Sequence, residues 1–280
     1  SAASDVYKRQ DLRPVILGYF SLLSIGLAYA QPPAALPTGG TVVAGSATIS
    51  QSGNTMTVQQ SSGRAVINWN TFNVGANSQV NFVQPDSGSV TLNRVVSATP
   101  SQIDGAVRAN GQIIISNANG VSFGKGAQVE AAGVIATTMN ISDKDFMDGK
   151  STYTGNGTGA VVNQGKIKTN DINGYIALLA PEVRNEGVVL AMGGPASVVA
   201  LASGSQVSLT FQGKQLISVK VDASAYKGLI ENKRLVAAPG GLVIIAANSV
   251  GQLMGSVIRN SGRVSASSMV NNGGVIELVA

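Results

Sequence analysis

Neither cysteine nor histidine occurs among the 280 residues. Disulfides, thiolate or imidazole metal sites and Cys/His nucleophile pairs are therefore excluded. Aromatic residues make up 5% of the chain and charged residues 12%. The net charge is +5, and basic residues such as Lys166, Lys168, Lys214, Lys220, Lys227 and Arg234 are scattered among apolar segments. A nucleic-acid surface needs concentrated basic residues interleaved with aromatics, so no nucleic-acid partner is expected. Long apolar runs are missing too. The best, Pro14 to Leu27, is shorter than the roughly 20 residues of a membrane-spanning helix.

That run follows Lys8, Arg9 and Arg13 and ends at Ala28-Tyr29-Ala30, a small-x-small cleavage pattern. Residues 1–30 read as a secretory signal peptide with a truncated or artefactual start, handled by the Sec translocon and cut between Ala30 and Gln31. Residues 31–40 read as a Pro/Ala linker and 41–280 as one folded domain.

What the chain does have is 34 glycines and a wealth of Val, Ile, Ala, Ser, Thr and Asn, a composition of strands and tight bends. The segments Val162-Asn163-Gln164-Gly165, Val183-Arg184-Asn185-Glu186-Gly187 and Ile258-Arg259-Asn260-Ser261-Gly262 repeat the pattern apolar, Asn-x-Gly, apolar. Between them stand Ile176/Leu178, Val243/Ile245 and Ile276/Leu278 at strand spacing. A repeat that cannot bury its apolar face alone must stack on its neighbours. Rungs of about 22 residues with period-2 strands and Asn-x-Gly corners indicate a single-stranded parallel β-helix. About ten rungs at about 4.8 Å are expected, with asparagine ladders along the corners. Thr41 to Val58 is placed to cap the N-terminal edge, and Ser205 to Asp222 reads as a hairpin outside the solenoid, turning at Gln212–Gln215. Ser142 to Gly159 reads as a polar loop. Only Ala223–Asn232 and Ala246–Met254 suggest helix, both weakly. The chain stops at Ala280 without a polar cap, so further rungs are expected beyond it.

Searches for chemistry are unproductive. Asp143, Asp145 and Asp148 before Gly149 fail as a calcium loop, because Met147 occupies a ligand position. Gly120 and Gly124-Lys125 are one position too close for a phosphate loop, with Gly126 where Ser or Thr belongs. No cofactor and no metal are expected.

The segments "INWNTFNVG" (67–75), "VNFVQP" (80–85), "VTLNRV" (90–95), the run 100–129 containing "IIISNANGVSF", and "GVIATT" (133–138) occur in the order of one family. The chain resembles the secretion domain of two-partner secretion exoproteins, the N-terminal module of filamentous haemagglutinin-like adhesins and contact-dependent toxins. The resemblance implies a right-handed parallel β-helix with an N-terminal cap and extra-helical hairpins. It also implies recognition by the periplasmic domains of an Omp85-type outer-membrane transporter, surface delivery from a Gram-negative cell, and host-surface ligands bound by regions beyond this domain. The family's Asn-Pro-Asn-Gly-Ile motif corresponds to Asn117, Ala118, Asn119, Gly120 and Val121, with alanine in place of proline. Asn68, Trp69, Asn70, Asn93 and Arg94 form a second candidate set. An Asn-Pro-Asn-Leu motif and the cysteine pair of one branch are lacking.

The leading expectation is a non-enzymatic secretion module. Its alternatives are a polysaccharide-cleaving β-helix, which needs converging acids, and an adhesin domain binding glycans or proteins itself.

Overall fold

The computed structural model describes residues 32–155, 159–222, 228–248, 258–266 and 275–279. The signal-peptide segment, with Ala30 and Gln31, lies outside them, as does most of the helix suggested at Ala246–Met254.

Three sheets run the length of the described solenoid. The first holds nine strands. It begins with β1 (Thr41–Ala44) and β4 (Arg64–Trp69), continues through Val90–Val95, Gln112–Ser116, Gly133–Thr137, Tyr175–Leu179 and Val198–Ser203, and ends with Leu242–Ala247 and Val275–Val279. The second holds six strands from Ser101–Ile103 to Ile258–Asn260. The third holds nine, from β2 (Ala47–Ser52) and β3 (Thr55–Gln60) to Arg263–Ser265. After the N-terminal rungs the chain visits the first, second and third sheets in turn, and each strand pairs in parallel with its equivalent one rung on. This is the expected parallel β-helix.

Register explains the core. Met56, Val80, Val107, Val129, Ile167, Val189 and Val236 pair in succession to form one inward column of the third sheet, and all are buried. Burying each such side chain contributes about 1.5–3 kcal/mol. At the end of the second sheet the inward column becomes asparagine. Asn163 Nδ2 donates to Asn185 Oδ1 (2.8 Å), Asn185 to Asn232 (2.8 Å) and Asn232 to Asn260 (2.7 Å).

The cap is a hairpin as well as a strand. β2 and β3 pair antiparallel around Gly53, while β1 runs antiparallel to β4, so an antiparallel strand covers the N-terminal edge of the parallel stack in the first and third sheets. The segment read as a linker is docked. Leu36 is buried, Thr38 bonds through its backbone with Thr71, and Ala35 and Pro33 accept from the N–H groups of Gly75 and Asn77.

Other expectations need correction. Among the described residues eight parallel strands, not about ten, stack in the first sheet behind β1, because two insertions lengthen the rungs. Asn163 and Asn185 are 22 residues apart, but Asn185 and Asn232 are 47 apart. The helix suggested at Ala223–Asn232 is strand at Leu229–Asn232, and Leu242–Ala247 is strand up to the start of the other suggestion. The polar loop 142–159 contains a short helix, α1 (Asp143–Met147), N-capped by Ser142, and a strand at Thr152–Thr154.

That strand joins the expected hairpin, Gln206–Gln212 and Gln215–Asp222, as a three-stranded sheet. Both insertions leave the helix between the first and second sheets. They cover the outer face of the first, where Val66, Leu92, Ile114, Ile135 and Ala177 meet Met139, Phe146, Tyr153, Val207 and Leu216. Strands such as Ile113–Ile115 are thus buried on both faces, which is why they read as unbroken apolar runs.

Candidate functional site

β4, Val90–Val95 and Gln112–Ser116 are parallel neighbours, and their register places Asn68, Arg94 and Ser116 in one row. All three strands end at the corner from which the insertions leave on later rungs. Both candidate sets therefore share one region of the solenoid, divided between its inside and its outside.

Trp69 and Asn93 are inside and fully buried. The Trp69 Nε1 donates to Asn93 Oδ1 (3.1 Å), Asn93 Nδ2 donates to the Ile114 carbonyl (3.3 Å), and the indole meets Phe72 edge-on at 5.7 Å. The tryptophan supplies the donor that makes an inward-facing amide tolerable. Trp69→Phe keeps most of the apolar volume but leaves Asn93 Oδ1 without that donor. It is expected to destabilise by about 1–3 kcal/mol. Urea unfolding followed by circular dichroism measures this, and a midpoint equal to wild type would show that the bond is dispensable.

Arg94 fastens an insertion to the helix. Its Nη1 pairs with Asp143 Oδ1 (2.6 Å), Nη2 donates to the Ile141 carbonyl (2.6 Å) and Nε to Asn140 Oδ1 (3.0 Å), with Asn68 Oδ1 at 3.4 Å from Nη1. Asn70 is exposed, beside Gly39 of the docked segment, and its N–H donates to the Thr38 carbonyl.

The Asn117–Val121 motif makes the next turn. Asn117 is fully buried: Nδ2 donates to the Thr99 carbonyl and Ser101 Oγ (both 3.0 Å), and Oδ1 accepts from the Asn119 N–H (3.0 Å). Its own N–H donates to the Thr137 carbonyl on the following rung. Asn119 Nδ2 reaches back to the Ser97 carbonyl (2.9 Å). The Gly120 N–H closes the turn on the Asn117 carbonyl at φ +122°, a conformation that favours glycine, and Val121 enters the core. Asn117 thus ties three rungs together and holds up an exposed tip, Ala118-Asn119, beside exposed Val96. With alanine at position 118, these hydrogen bonds set the turn.

The three aspartates of the α1 segment are engaged by cations. Besides Asp143 with Arg94, Asp145 pairs with Lys150 and Asp148 with Lys144. No cluster of three metal-binding side chains occurs among the described residues, nor any helix long and apolar enough to cross a membrane. Glu186 and Glu231 do approach one another, but around Lys233, 3.1 Å from each. Hydrogen bonds from Gln164 and Lys233 hold the Glu186 carboxyl below its ordinary value. A glycosidase acid needs the opposite shift.

Between the first sheet and the insertions lies a cavity of about 260 Å³, to which Arg64, Gln112, Tyr153, Tyr175, Phe211 and Lys214 contribute. These residues are far apart in the chain, so no motif announces them.

Residues 34–280 match the family model of the TPS secretion domain. A heme/hemopexin-binding protein of a Haemophilus influenzae strain is 35% identical over 217 residues, which are 72% of this chain and 23% of that protein. A second heme/hemopexin-binding protein of Haemophilus influenzae is 36% identical over 137 residues, 49% of this chain and 14% of its own. The chain therefore spans less than a quarter of either relative. Among solved structures, the HMW1 secretion domain from Haemophilus influenzae has a TM-score of 0.77 at 29% identity, covering 86% of this chain and 62% of that one. The filamentous hemagglutinin secretion domain, at 18% identity and a TM-score of 0.50, covers 88% and 99% and shares the fold. With its β-helix, its capped N-terminal edge and a match over 34–280, the chain belongs to the TPS secretion domain family, the secretion module of two-partner secretion exoproteins.

Proposed function

We propose that this domain brings its exoprotein to an Omp85-type outer-membrane transporter, engages the transporter's periplasmic domains before it has folded completely, and then folds rung by rung on the cell surface of a Gram-negative bacterium. On this reading residues 1–30 deliver the chain through the Sec translocon and are removed before Gln31. The absence of cysteine suits a chain that is threaded unfolded. Each added rung buries apolar side chains that cannot re-enter a narrow pore, so stacking biases transport outward. Heme or hemopexin binding, named for the two relatives, would reside in sequence outside the secretion domain.

The Asn117–Gly120 turn carries this reading, because it presents Ala118-Asn119 to solvent on a frame built from three rungs. Ala118→Asp and Asn119→Asp together test it. Ala118 is exposed and makes no side-chain bond, but Asn119→Asp gives up the donor to the Ser97 carbonyl, so the two changes together are expected to cost about 0.5–1.5 kcal/mol, too little to unfold the domain. They are expected to lower secretion through the partner transporter about tenfold, a loss of about 1.4 kcal/mol in recognition. Culture medium and periplasm are assayed by immunoblot. Wild-type release of the double variant would remove the tip from recognition.

A further inference from the structure

The cavity beneath the insertions has the build of a ligand site. Its floor is the outer face of the first sheet, with Ile114 and Ile135; Phe146, Tyr153 and Phe211 come from the insertions. At about 260 Å³ it exceeds the roughly 150 Å³ that accommodates benzene in an engineered apolar cavity.

Arg64 gives the cavity its polarity. Nη1 donates to the Phe146 carbonyl (3.0 Å), and the guanidinium carbon lies 5.0 Å from the centroid of the Phe146 ring. No described carboxylate lies within ion-pair reach of Arg64. The nearby acids are engaged. Asp171 pairs with Lys214 of the hairpin turn, whose Nζ also donates to Ser87 Oγ (3.1 Å). Asp86, which borders an adjoining depression with Arg64, accepts from the Gly88 and Ser89 N–H groups and Ser89 Oγ. Two tyrosine hydroxyls complete the polar side, that of Tyr175 donating to Gln112 Oε1 (2.8 Å). Burial pushes both hydroxyls to higher pKa and the charge of Arg64 opposes this, so its field reaches them.

A cation without a counter-ion, two hydroxyls and an aliphatic-aromatic wall therefore face one space. We propose that this cavity binds a small carboxylate with an apolar body, of arylalkanoate size, its carboxylate on Arg64 and its ring among Ile114, Ile135 and Phe211. A charged acceptor makes stronger hydrogen bonds to guanidinium than a neutral one. Such a ligand would touch β4, the α1 insertion and the hairpin together, and so clamp the insertions to the solenoid.

The test uses the full 280-residue chain with 3-phenylpropionate as probe and its neutral amide as control, by calorimetric titration and thermal unfolding. Saturable one-to-one binding of the carboxylate is expected, with an unfolding midpoint that rises with its concentration and affinity for the amide at least about tenfold lower. Arg64→Gln is expected to lose about tenfold in affinity for the carboxylate and little for the amide. Ile135→Phe should block both by filling the space. Equal binding of acid and amide, unchanged binding by Arg64→Gln, or no saturable binding by the folded wild-type chain overturns the proposal. Should Arg64→Gln fail to fold, the acid-amide comparison on wild type decides.

Discussion

Ile176→Asp is expected to cost more than about 4 kcal/mol, enough to unfold the domain or leave it marginal. Ile176 is fully buried on the inward face of the first sheet, stacked between Val134 and Val199 of the adjacent rungs. Losing the isoleucine alone forfeits about 1.5–3 kcal/mol of burial. An unpaired carboxylate adds several kcal/mol more, because the surrounding column is aliphatic and holds no cation. The solenoid magnifies the damage, since a rung without sound neighbours cannot hold its place. Ile172, 69% exposed a few residues upstream, is the control, and Ile172→Asp should be nearly silent. Thermal unfolding of the two variants, followed by circular dichroism, separates them. A midpoint for Ile176→Asp close to wild type would mean that its side chain does not face the core.

Why Ile176 was legible and much else was not has a physical basis. The Asn-x-Gly corners and alternating aliphatics are local chemistry repeated at a fixed period, so the rungs could be read from short segments. The same holds for the hairpin, whose strands alternate around Gly213 with its φ of +60°. Asn232 belongs to the ladder but carries no Asn-x-Gly signature, because Lys233-Arg234 replaces x-Gly and its rung is displaced by the hairpin insertion. α1 is too short to show periodicity; its Ser142 cap and Asp143's bond to Arg94 hold it, and that partner lies 49 residues away. The cavity is less legible still. Its floor comes from the first sheet and its roof from two separate insertions, and only the packed structure shows that the outer face of that sheet is covered.

Asn185 offers the second large effect, because the ladder has a direction. Each Nδ2 donates to the Oδ1 of the asparagine on the next rung, from Asn163 through Asn185 and Asn232 to Asn260. Asn185 also accepts from the Gly187 N–H (3.3 Å) and donates to the Leu235 carbonyl (3.1 Å). Asn185→Ala removes all four bonds inside a dry corner and is expected to cost about 2–5 kcal/mol, since a buried unpaired group costs about 1–3 kcal/mol. Asn185→Asp is the sharper experiment. A carboxylate there can still accept from Asn163 and Gly187, but it confronts Asn232 Oδ1 and the Leu235 carbonyl with lone pairs where a donor is needed. Only the protonated acid supplies one, so folding should raise the aspartate's pKa above its unfolded value of about 3.9. The sign follows from linkage: relative to wild type, the variant's stability is retained below about pH 4 and lost as pH rises through the folded pKa. Denaturant titrations of both proteins across that range should show the gap widening with pH. A gap independent of pH would mean that Asn232 turns its amide to meet the carboxylate, and that the ladder's direction is not fixed.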